Sequence, residues 1–419
     1  MLGDVVRQIN LCQLDGVAVT VDGEPILVDG QGWVVEVRMY SLRNYSGPVA
    51  HLVLPADADA AAAHVADVLR GLREPGAAAA ALDRPLAETF GLPEAVFDEN
   101  LFDPTPEDVQ RRTAALAAMS DRFPAVAERF SRVYGLRLPR HLAVFAAFWD
   151  SLDRRERDAI GDVAGLHPWG VSDYFKTDGL ALVGRDGLDE RLHCRFRRDP
   201  AEFVTVLGGD SDGLHFGLWY DDPAQLPSFI AHNWARDSAE TWTSGRPTLL
   251  GEISAWLEKS LDDSYGEEGD KRWRLHPLRR ALDWFAEADA EALRADGERV
   301  WADAPRAQDT VSIGAALPPG SGDPRGGEHR ARFDAYRGDH AAVRGWIGQA
   351  RAELAAGEPA FALALGTELH WLDADEFRQE ALELQVGAYR ALGRGALADI
   401  AEVHFAHRDL RTVDVLVAG

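Results

Sequence analysis

The segment of residues 195–220 constrains the fold of this chain more than any other. Residues 203–207 are apolar and mostly β-branched, and residues 214–220 place apolar side chains at every second position. Between these runs lie residues 208–213, a stretch of Gly, Asp and Ser that tolerates a positive φ. The pattern predicts a β-hairpin with a short loop. We expect one face of it to be buried, because an alternating strand hides every second side chain.

The hairpin loop also contains the spacing Gly-x-Ser-x-Gly, through Gly209, Ser211 and Gly213. In hydrolases this spacing belongs to a nucleophile elbow, which requires a strand, a sharp turn and then a helix. Here a second strand follows the loop. The sequence therefore favours a plain hairpin loop over a catalytic serine.

The overall composition is that of a globular protein with two or three domains. The chain has 419 residues, of which 46% are apolar. No apolar run approaches the ~20 residues that span a bilayer, and the first residues lack the features of a signal peptide, so we expect a cytoplasmic protein. The two cysteines, Cys12 and Cys194, are too few for a disulfide framework or a zinc cluster. We expect neither a metal nor a cofactor.

The charge of the chain argues against one class of partner. A formal net charge of -25 argues against binding along nucleic-acid phosphates, which requires a concentrated basic footprint. Two short basic segments, residues 191–198 and 271–280, are exceptions. Either could hold an anionic ligand, but the sequence favours the solvated edges of a strand and of a helix.

The first 105 residues predict a small α+β domain, and no chemical motif indicates its role. Residues 57–72 have the spacing of a helix. Strand-like runs, separated by Asp-Gly turns, occupy residues 17–21, 26–28, 33–40 and 49–54.

Two further domains are predicted beyond this unit, and the fold class is α+β. Residues 120–265 contain the hairpin and predict an antiparallel-sheet domain with flanking helices. Residues 266–419 predict a mostly helical domain. Within it, residues 311–317 resemble a short strand, and residues 318–327, rich in Pro and Gly, predict an exposed loop.

The order of a helix, a Leu-Pro helix, a Gly-Leu turn, a hairpin and a helix resembles the SUKH-like fold. At the hairpin the resemblance is narrower. Residues 195–205 resemble the Arg-Phe-x-x-Asp-Pro-x-Glu-Phe-x-Thr of the histone PARylation factor family, and His215 and Gly217 fit the family's next strand. A second, separate block matches its last helices at Gly366, Leu369, Ala388, Tyr389, Arg394, Ala398, Ile400, His404, Ala406 and Arg408. The resemblance covers about residues 120–419.

This resemblance implies an accessory protein of ADP-ribosylation. Family members complete the active site of a poly(ADP-ribose) polymerase by inserting a Glu, part of an Asp-Glu pair, that activates an acceptor Ser. A Ser hydroxyl is a weak nucleophile and needs a nearby carboxylate to take its proton. The implied partner is an ADP-ribosyltransferase, and no stand-alone activity is expected.

The sequence departs from the family at the catalytic pair. In ungapped register from Gly366, the pair falls on Ala355 and Ala356. Glu358 is the nearest carboxylate, and it takes the catalytic place only after a two-residue deletion. The competing interpretation is an acid at a helix start, stabilised by the macrodipole, and the sequence favours that structural role.

The candidate binding residues come mostly from the matched motifs. They are Arg195, Asp199, Glu202, His215, Asp221, His404 and Arg408. Asp221 ends a strand in a predicted turn. Glu402, His404 and His407 share a predicted helix, where histidines three residues apart can chelate a metal. No second helix offers a third ligand, so we interpret His404 as a packing or hydrogen-bonding residue.

Two other function classes remain open from the sequence. One is a SUKH-type immunity or interaction protein that neutralises a toxin through its hairpin face. The acidity of the chain suits binding to a basic enzyme, because complementary fields speed association. The other is a self-sufficient enzyme with Glu358 and His404 as candidate residues, but no nucleotide loop or complete catalytic trio supports it.

Overall fold

The structure, a computed structural model, describes residues 10, 13–14, 16–28, 31–163, 165–262, 271–306 and 311–419. The α-helices of these residues are α1 (Ala58–Leu72), α2 (Ala77–Ala81), α3 (Leu86–Phe90), α4 (Pro106–Tyr134), α5 (His141–Ser151), α6 (Arg154–Asp158), α7 (Leu249–Asp262), α8 (Arg272–Asp296), α9 (His329–Ala335), α10 (His340–Ala355), α11 (Ala360–Leu372), α12 (Arg378–Ala391) and α13 (Gly395–Ala406). None of these helices is long and apolar enough to cross a membrane.

The strands are antiparallel throughout. They are β1 (Gln13–Leu14), β2 (Val17–Val28), β3 (Gly32–Ser41), β4 (Val49–Leu54), β5 (His167–Pro168), β6 (Leu182–Gly184), β7 (Phe203–Gly208), β8 (Leu214–Trp219), β9 (Phe229–Trp234), β10 (Thr241–Thr243) and β11 (Leu416–Ala418). They form a four-stranded sheet in the order β1-β2-β3-β4, a five-stranded sheet in the order β10-β9-β8-β7-β5, and the pair β11-β6. The predicted α+β class is confirmed.

The chain packs into two compact units. The first comprises residues 1–106, 152–164 and 256–283, and the second comprises residues 107–151, 165–255 and 284–419, as far as these residues are described. The first unit therefore draws on two segments that follow the predicted N-terminal domain in the chain. The three-domain division of the sequence stays a prediction.

The four-stranded sheet of the first unit is covered on both faces. Because successive side chains of a strand point to opposite faces, Val35 joins the core under α1 with Val65. Val34 points the other way and packs with Val53 and Trp273. The predicted helix at residues 57–72 is α1, whose first turn is capped by the Asp57 carboxylate accepting from the Ala60 N–H at 2.8 Å.

The five-stranded sheet of the second unit contains the predicted hairpin, β7–β8. Gly209 N–H donates to the Leu214 carbonyl at 2.7 Å, and Gly213 adopts φ +70° in the loop. The expectation of one buried face is wrong, because every residue of β7 and β8 is buried. A second layer of the unit covers the face that alternation alone would leave in solvent.

The C-terminal helices are joined by short connections, as predicted. Helices α11 and α12 approach closely at Gly366, where an added Cβ would lie 2.8 Å from Gln385 Cγ. The predicted strand at residues 311–317 is wrong: the segment contains bends and a single bridge between Ala316 and Arg306. An apolar run without a neighbouring strand in register cannot form a ladder.

We expect residues 1–105 to be needed for the stability of the following chain. Trp273 is 3% exposed and packs on Val28, Val34, Val53 and Phe102, so removing residues 1–105 bares a large apolar ring. Urea unfolding and size-exclusion chromatography of a chain beginning at residue 106 should show lower stability and self-association. A monomer with undiminished cooperative unfolding would support the domain division predicted from the sequence instead.

Candidate functional site

The predicted binding residues of the hairpin motif lie inside the second unit. Arg195 is 7% exposed and donates to the carbonyls of Pro200 at 2.8 Å and Phe203 at 2.7 Å. Because a guanidinium has five donors in a fixed plane, it joins the two ends of the segment that enters β7. Arg195 thus holds the chain in the conformation that starts the hairpin.

Asp199 and His215 form a buried pair beside this segment. The Nε2 atom of His215 lies 3.2 Å from both carboxylate oxygens of Asp199, and Asp199 Oδ2 accepts from the Phe196 N–H at 2.7 Å. Both side chains are at most 1% exposed. The pair connects the start of β7 to β8, with no surface available to a partner.

Asp221 closes the other end of the hairpin. Its carboxylate receives two parallel bonds from Arg306, at 2.7 Å and 2.6 Å, and a further bond from Ser228. The Arg306 guanidinium also lies 4.8 Å from the centre of the Phe229 ring. A bidentate pair of this kind is geometrically specific, so it fixes the segment before the Pro-Gly loop onto the sheet.

His404 and Arg408 form a second buried cluster, with His370. Arg408 donates to the carbonyls of Arg197 and His370 and lies 3.0 Å from Asp373 Oδ1. Burial lowers the pKa of Arg408 to about 10, against the opposing effect of Asp373. Burial also lowers the pKa of His404 well below its usual value, so this ring is neutral. The cluster joins the last helices to the hairpin entry.

Glu202, another predicted binding residue, lines a cavity. It is 5% exposed, and its Oε2 atom has no hydrogen-bond partner. Burial raises the pKa of Glu202. Burial, together with the nearby charge of Glu202, also raises the pKa of Tyr389. The cavity has a volume of about 20 Å³ and also borders Glu368, which is bound by Arg332. The space fits about one water molecule.

The predicted catalytic residue, Glu358, lies on the surface. Helix α10 ends in a Schellman motif: Gly357 adopts φ +88° and donates to the Leu354 carbonyl, and Glu358 N–H donates to the Glu353 carbonyl at 2.9 Å. Pro359 is the N-cap of α11. Within the described residues, the exposed Glu358 carboxylate has no hydrogen bond or ion pair.

The Pro-Gly loop of residues 318–327 packs beside Glu358. Ala360 N–H, in the first turn of α11, donates to the Ser321 carbonyl at 3.0 Å. Gly322 adopts φ +93°, and an added Cβ there would lie 2.9 Å from Glu358 Cβ. We call residues 318–327 and 356–359 together the loop–turn surface. It is the exposed candidate site of the second unit.

Arg325 anchors this surface to α10. It forms an ion pair with Glu353, and its guanidinium lies 4.4 Å from the centre of the Phe361 ring. Asp323 is exposed and accepts from the Arg325 N–H at 2.8 Å. Sequence reasoning missed these residues, although it identified the loop, because the pairing depends on residues that are distant in the chain.

No metal site emerges from the described part of the chain. Its His, Cys, Asp and Glu side chains form no group of three or more that could hold a metal ion. Cys194 is buried, and burial raises its pKa well above the usual value. Cys12 lies outside the described residues. Among the helix residues considered as metal ligands, Glu402 pairs with Arg390 at 2.7 Å.

Comparison with known proteins identifies a relative for the central part of the chain. Residues 125–300 match the family described as Histone PARylation factor 1. The curated proteins of that name from Mus musculus and Bos taurus are each 30% identical, over 133 and 132 residues. The protein from Danio rerio is 32% identical over 114 residues. The chain resembles this family, as the sequence predicts.

The resemblance to histone PARylation factors is partial in length. The alignments cover 31% of this chain and 38% of the mouse and bovine proteins, and 26% of this chain and 31% of the zebrafish protein. The chain thus spans less than half the length of the curated relatives it matches. The hairpin motif lies inside the matched residues, whereas Glu358, His404 and Arg408 lie beyond them.

Replacing Asp199 tests whether the hairpin motif stabilises the protein or binds a partner. Asp199→Ala leaves His215 and the Phe196 N–H without their acceptor, so we expect the free energy of unfolding to fall by about 1–3 kcal/mol. Urea denaturation measures this change. The matched control is Asp212→Asn, in the exposed hairpin loop, which should be neutral. Unchanged stability of the Asp199 variant, with loss of a protein partner, would establish a binding role instead.

Proposed function

We propose that this protein is an accessory factor of ADP-ribosylation that acts by binding an ADP-ribosyltransferase. The resemblance of residues 125–300 to Histone PARylation factor 1 supports the class of function. The name of these relatives refers to the PARylation of histones, so the proposal for this chain includes a protein as the acceptor.

The loop–turn surface is the part of the second unit that we assign to the transferase. Most of the other predicted site residues are committed to bonds inside the protein, and all of them are buried. Glu358, in contrast, is exposed beside Gly322, with its backbone fixed by the Schellman motif. This placement of an unpaired carboxylate on an ordered turn is the observation that carries the proposal.

The chemistry asked of Glu358 is proton transfer. When the Ser Oγ of an acceptor protein bonds to the anomeric carbon of the ADP-ribosyl donor, the bond from that carbon to the leaving group breaks. The hydroxyl proton passes to the Glu358 carboxylate and then to solvent. A positioned general base contributes about 10²–10⁴-fold to such a step. The donor and its binding site belong to the transferase.

Binding of a basic toxin is the second candidate, favoured by one observation. The formal net charge of -25 suits an electropositive partner, and long-range attraction speeds the encounter of opposite charges. A toxin inhibitor needs no exposed carboxylate aimed at a reacting hydroxyl. The two functions therefore differ in what happens when the charge of Glu358 is removed without changing its shape.

Glu358→Gln is the decisive variant. We expect it to preserve folding and affinity for the transferase while lowering Ser-directed transfer by about 10²-fold or more. The assay combines the protein with an ADP-ribosyltransferase of the same organism and maps the modified side chains by mass spectrometry. The matched control is Glu128→Gln, which removes an exposed Glu from α4 of the same unit and should leave transfer unchanged.

Other results of this assay contradict the proposal in distinguishable ways. Equal transfer by the wild type and Glu358→Gln would assign Glu358 to a structural role at the start of α11, worth about 0.3–1 kcal/mol. An identical acceptor profile with and without the protein would remove the accessory function altogether. Co-purification of a basic toxin in that case would favour the inhibitor.

A further inference from the structure

A row of three polar side chains crosses the sheet of the first unit. Asp22 on β2 lies in register with Glu36 on β3, and Glu36 lies in register with His51 on β4. Glu36 is 7% exposed and His51 is 9% exposed, although their strand neighbours Val34 and Val53 belong to an apolar core. Burying a carboxylate within an apolar face is costly unless it is paired, so this row requires an explanation.

The contacts within the row leave it incompletely paired. The Nε2 atom of His51 lies 3.2 Å from Glu36 Oε2, but it is misaligned and has no hydrogen-bond partner. Arg38 donates to Asp22 at 2.9 Å and is 3.8 Å from Glu36 Oε1, beyond hydrogen-bonding distance. Glu36 and His51 therefore converge on a point where no described residue donates to both.

A cavity of about 40 Å³ lies at this point. Its lining includes Asp22, Glu36, His51 and Asp158, all of which can accept a hydrogen bond when His51 carries its proton on Nδ1. The volume accommodates about three water-sized groups. It is therefore large enough for a ligand terminus and too small for a ring system.

Apolar side chains form another part of the lining. They are Ile26, Val34, Ala159 and Pro277, together with the Trp273 ring, which is stacked on His51 at 5.6 Å between ring centres. A lining that combines acceptors with apolar side chains matches an alkyl chain that ends in a three-proton donor.

We propose that this cavity binds a primary ammonium group on an unbranched alkyl chain, as at the end of a lysine side chain. The ammonium donates to Glu36 and His51 at the point where they converge, and to Asp22, the other carboxylate of the row. The His51 Nε2 atom, which is buried and has no hydrogen-bond partner, also indicates a ligand here, independently of the acidic residues.

Two arginines in the lining define the competing class of ligand. Arg155 and Arg274 also border the cavity, and the Arg155 guanidinium lies 5.6 Å from the centre of the Phe102 ring. A carboxylate ligand would approach these side chains but would be repelled by Asp22, Glu36 and Asp158, which line the same cavity. Because the carboxylates outnumber the arginines in the lining, we favour the cation.

Titration of the full-length protein with amines tests the proposal. We expect saturable binding of n-butylammonium and of Nα-acetyl-lysine-N-methylamide, with a Kd of about 1 mM or below. Binding is measured by calorimetry and by changes in the NMR chemical shifts of His51 and Trp273. Nε-acetylation of the lysine derivative should abolish binding. If the lysine derivative binds at least tenfold more tightly than n-butylammonium, the natural ligand is a lysine of a protein rather than a free amine.

Three variants localise the effect. Glu36→Gln removes the charge with little change of shape and should weaken binding at least tenfold. Ala159→Val narrows the cavity from its apolar lining and should weaken binding without changing any charge. Glu88→Gln removes an exposed charge from α3 of the same unit and should bind normally, because Leu86 and Phe90 of α3 pack with Val35 on the opposite face of the sheet. Far-ultraviolet circular dichroism and urea unfolding verify that each variant is folded.

The proposal is overturned by any of four results. These are no saturable amine binding up to about 10 mM, binding that survives both Glu36→Gln and Ala159→Val, equal binding of the Nε-acetylated compound, and saturable binding of acetate in place of the amine. None of them depends on an ADP-ribosyltransferase. The site in the first unit is therefore tested separately from the function proposed for the second.

Discussion

The burial of charged side chains at the hairpin determines much of the second unit. Both faces of β7 and β8 are covered, so the polar residues at the ends of the strands are inside the protein. A buried charge that lacks its partner is strongly destabilising, because nothing then offsets its desolvation. The pairs Asp199–His215 and Asp221–Arg306 therefore dictate where the segments that supply their partners must run. The charges of the hairpin are buried away from solvent, so other segments of the unit must supply their partners. Those segments are therefore positioned by the hairpin.

Local sequence signals predict the strands and turns well, and they fail where distant segments decide burial. Alternation and the Gly/Asp loop are sufficient for β7–β8, and alternation locates β3 and β4. The turn predicted between residues 17–21 and 26–28 is wrong, because β2 runs through both segments with an irregular register between Asp22 and Ile26. Local signals do not reveal that another layer covers the second face of the hairpin. They also do not reveal that residues 152–164 and 256–283 join the first unit. Residues 311–317 look like a strand because of their composition, but strand formation needs a partner in register.

The candidate sites likewise combine residues that the sequence indicates with contacts that only the fold creates. The sequence indicates Glu358 and the Pro-Gly loop as separate features, and only the fold places Gly322 against Glu358. The row of Asp22, Glu36 and His51 has no linear motif, because its residues are neighbours through strand register. A search for polar residues on otherwise apolar strands would have found Glu36 and His51. It would not have found the cavity, which needs Trp273 from a distant helix.

The end of α10 determines where the carboxylate of Glu358 points, two residues after the position where the family's acid would fall in ungapped register. Along a continuous helix, a shift of two residues turns a side chain by about 200°, so Glu358 could not replace an acid at Ala356 by sliding alone. Gly357 changes this relation, because its left-handed conformation ends the helix before Glu358. The direction of the carboxylate is then set by the Schellman turn and by contact with Gly322, and no longer by helical phase. Any side chain larger than glycine at position 322 would press on Glu358. The loop and the turn consequently act as one structural element.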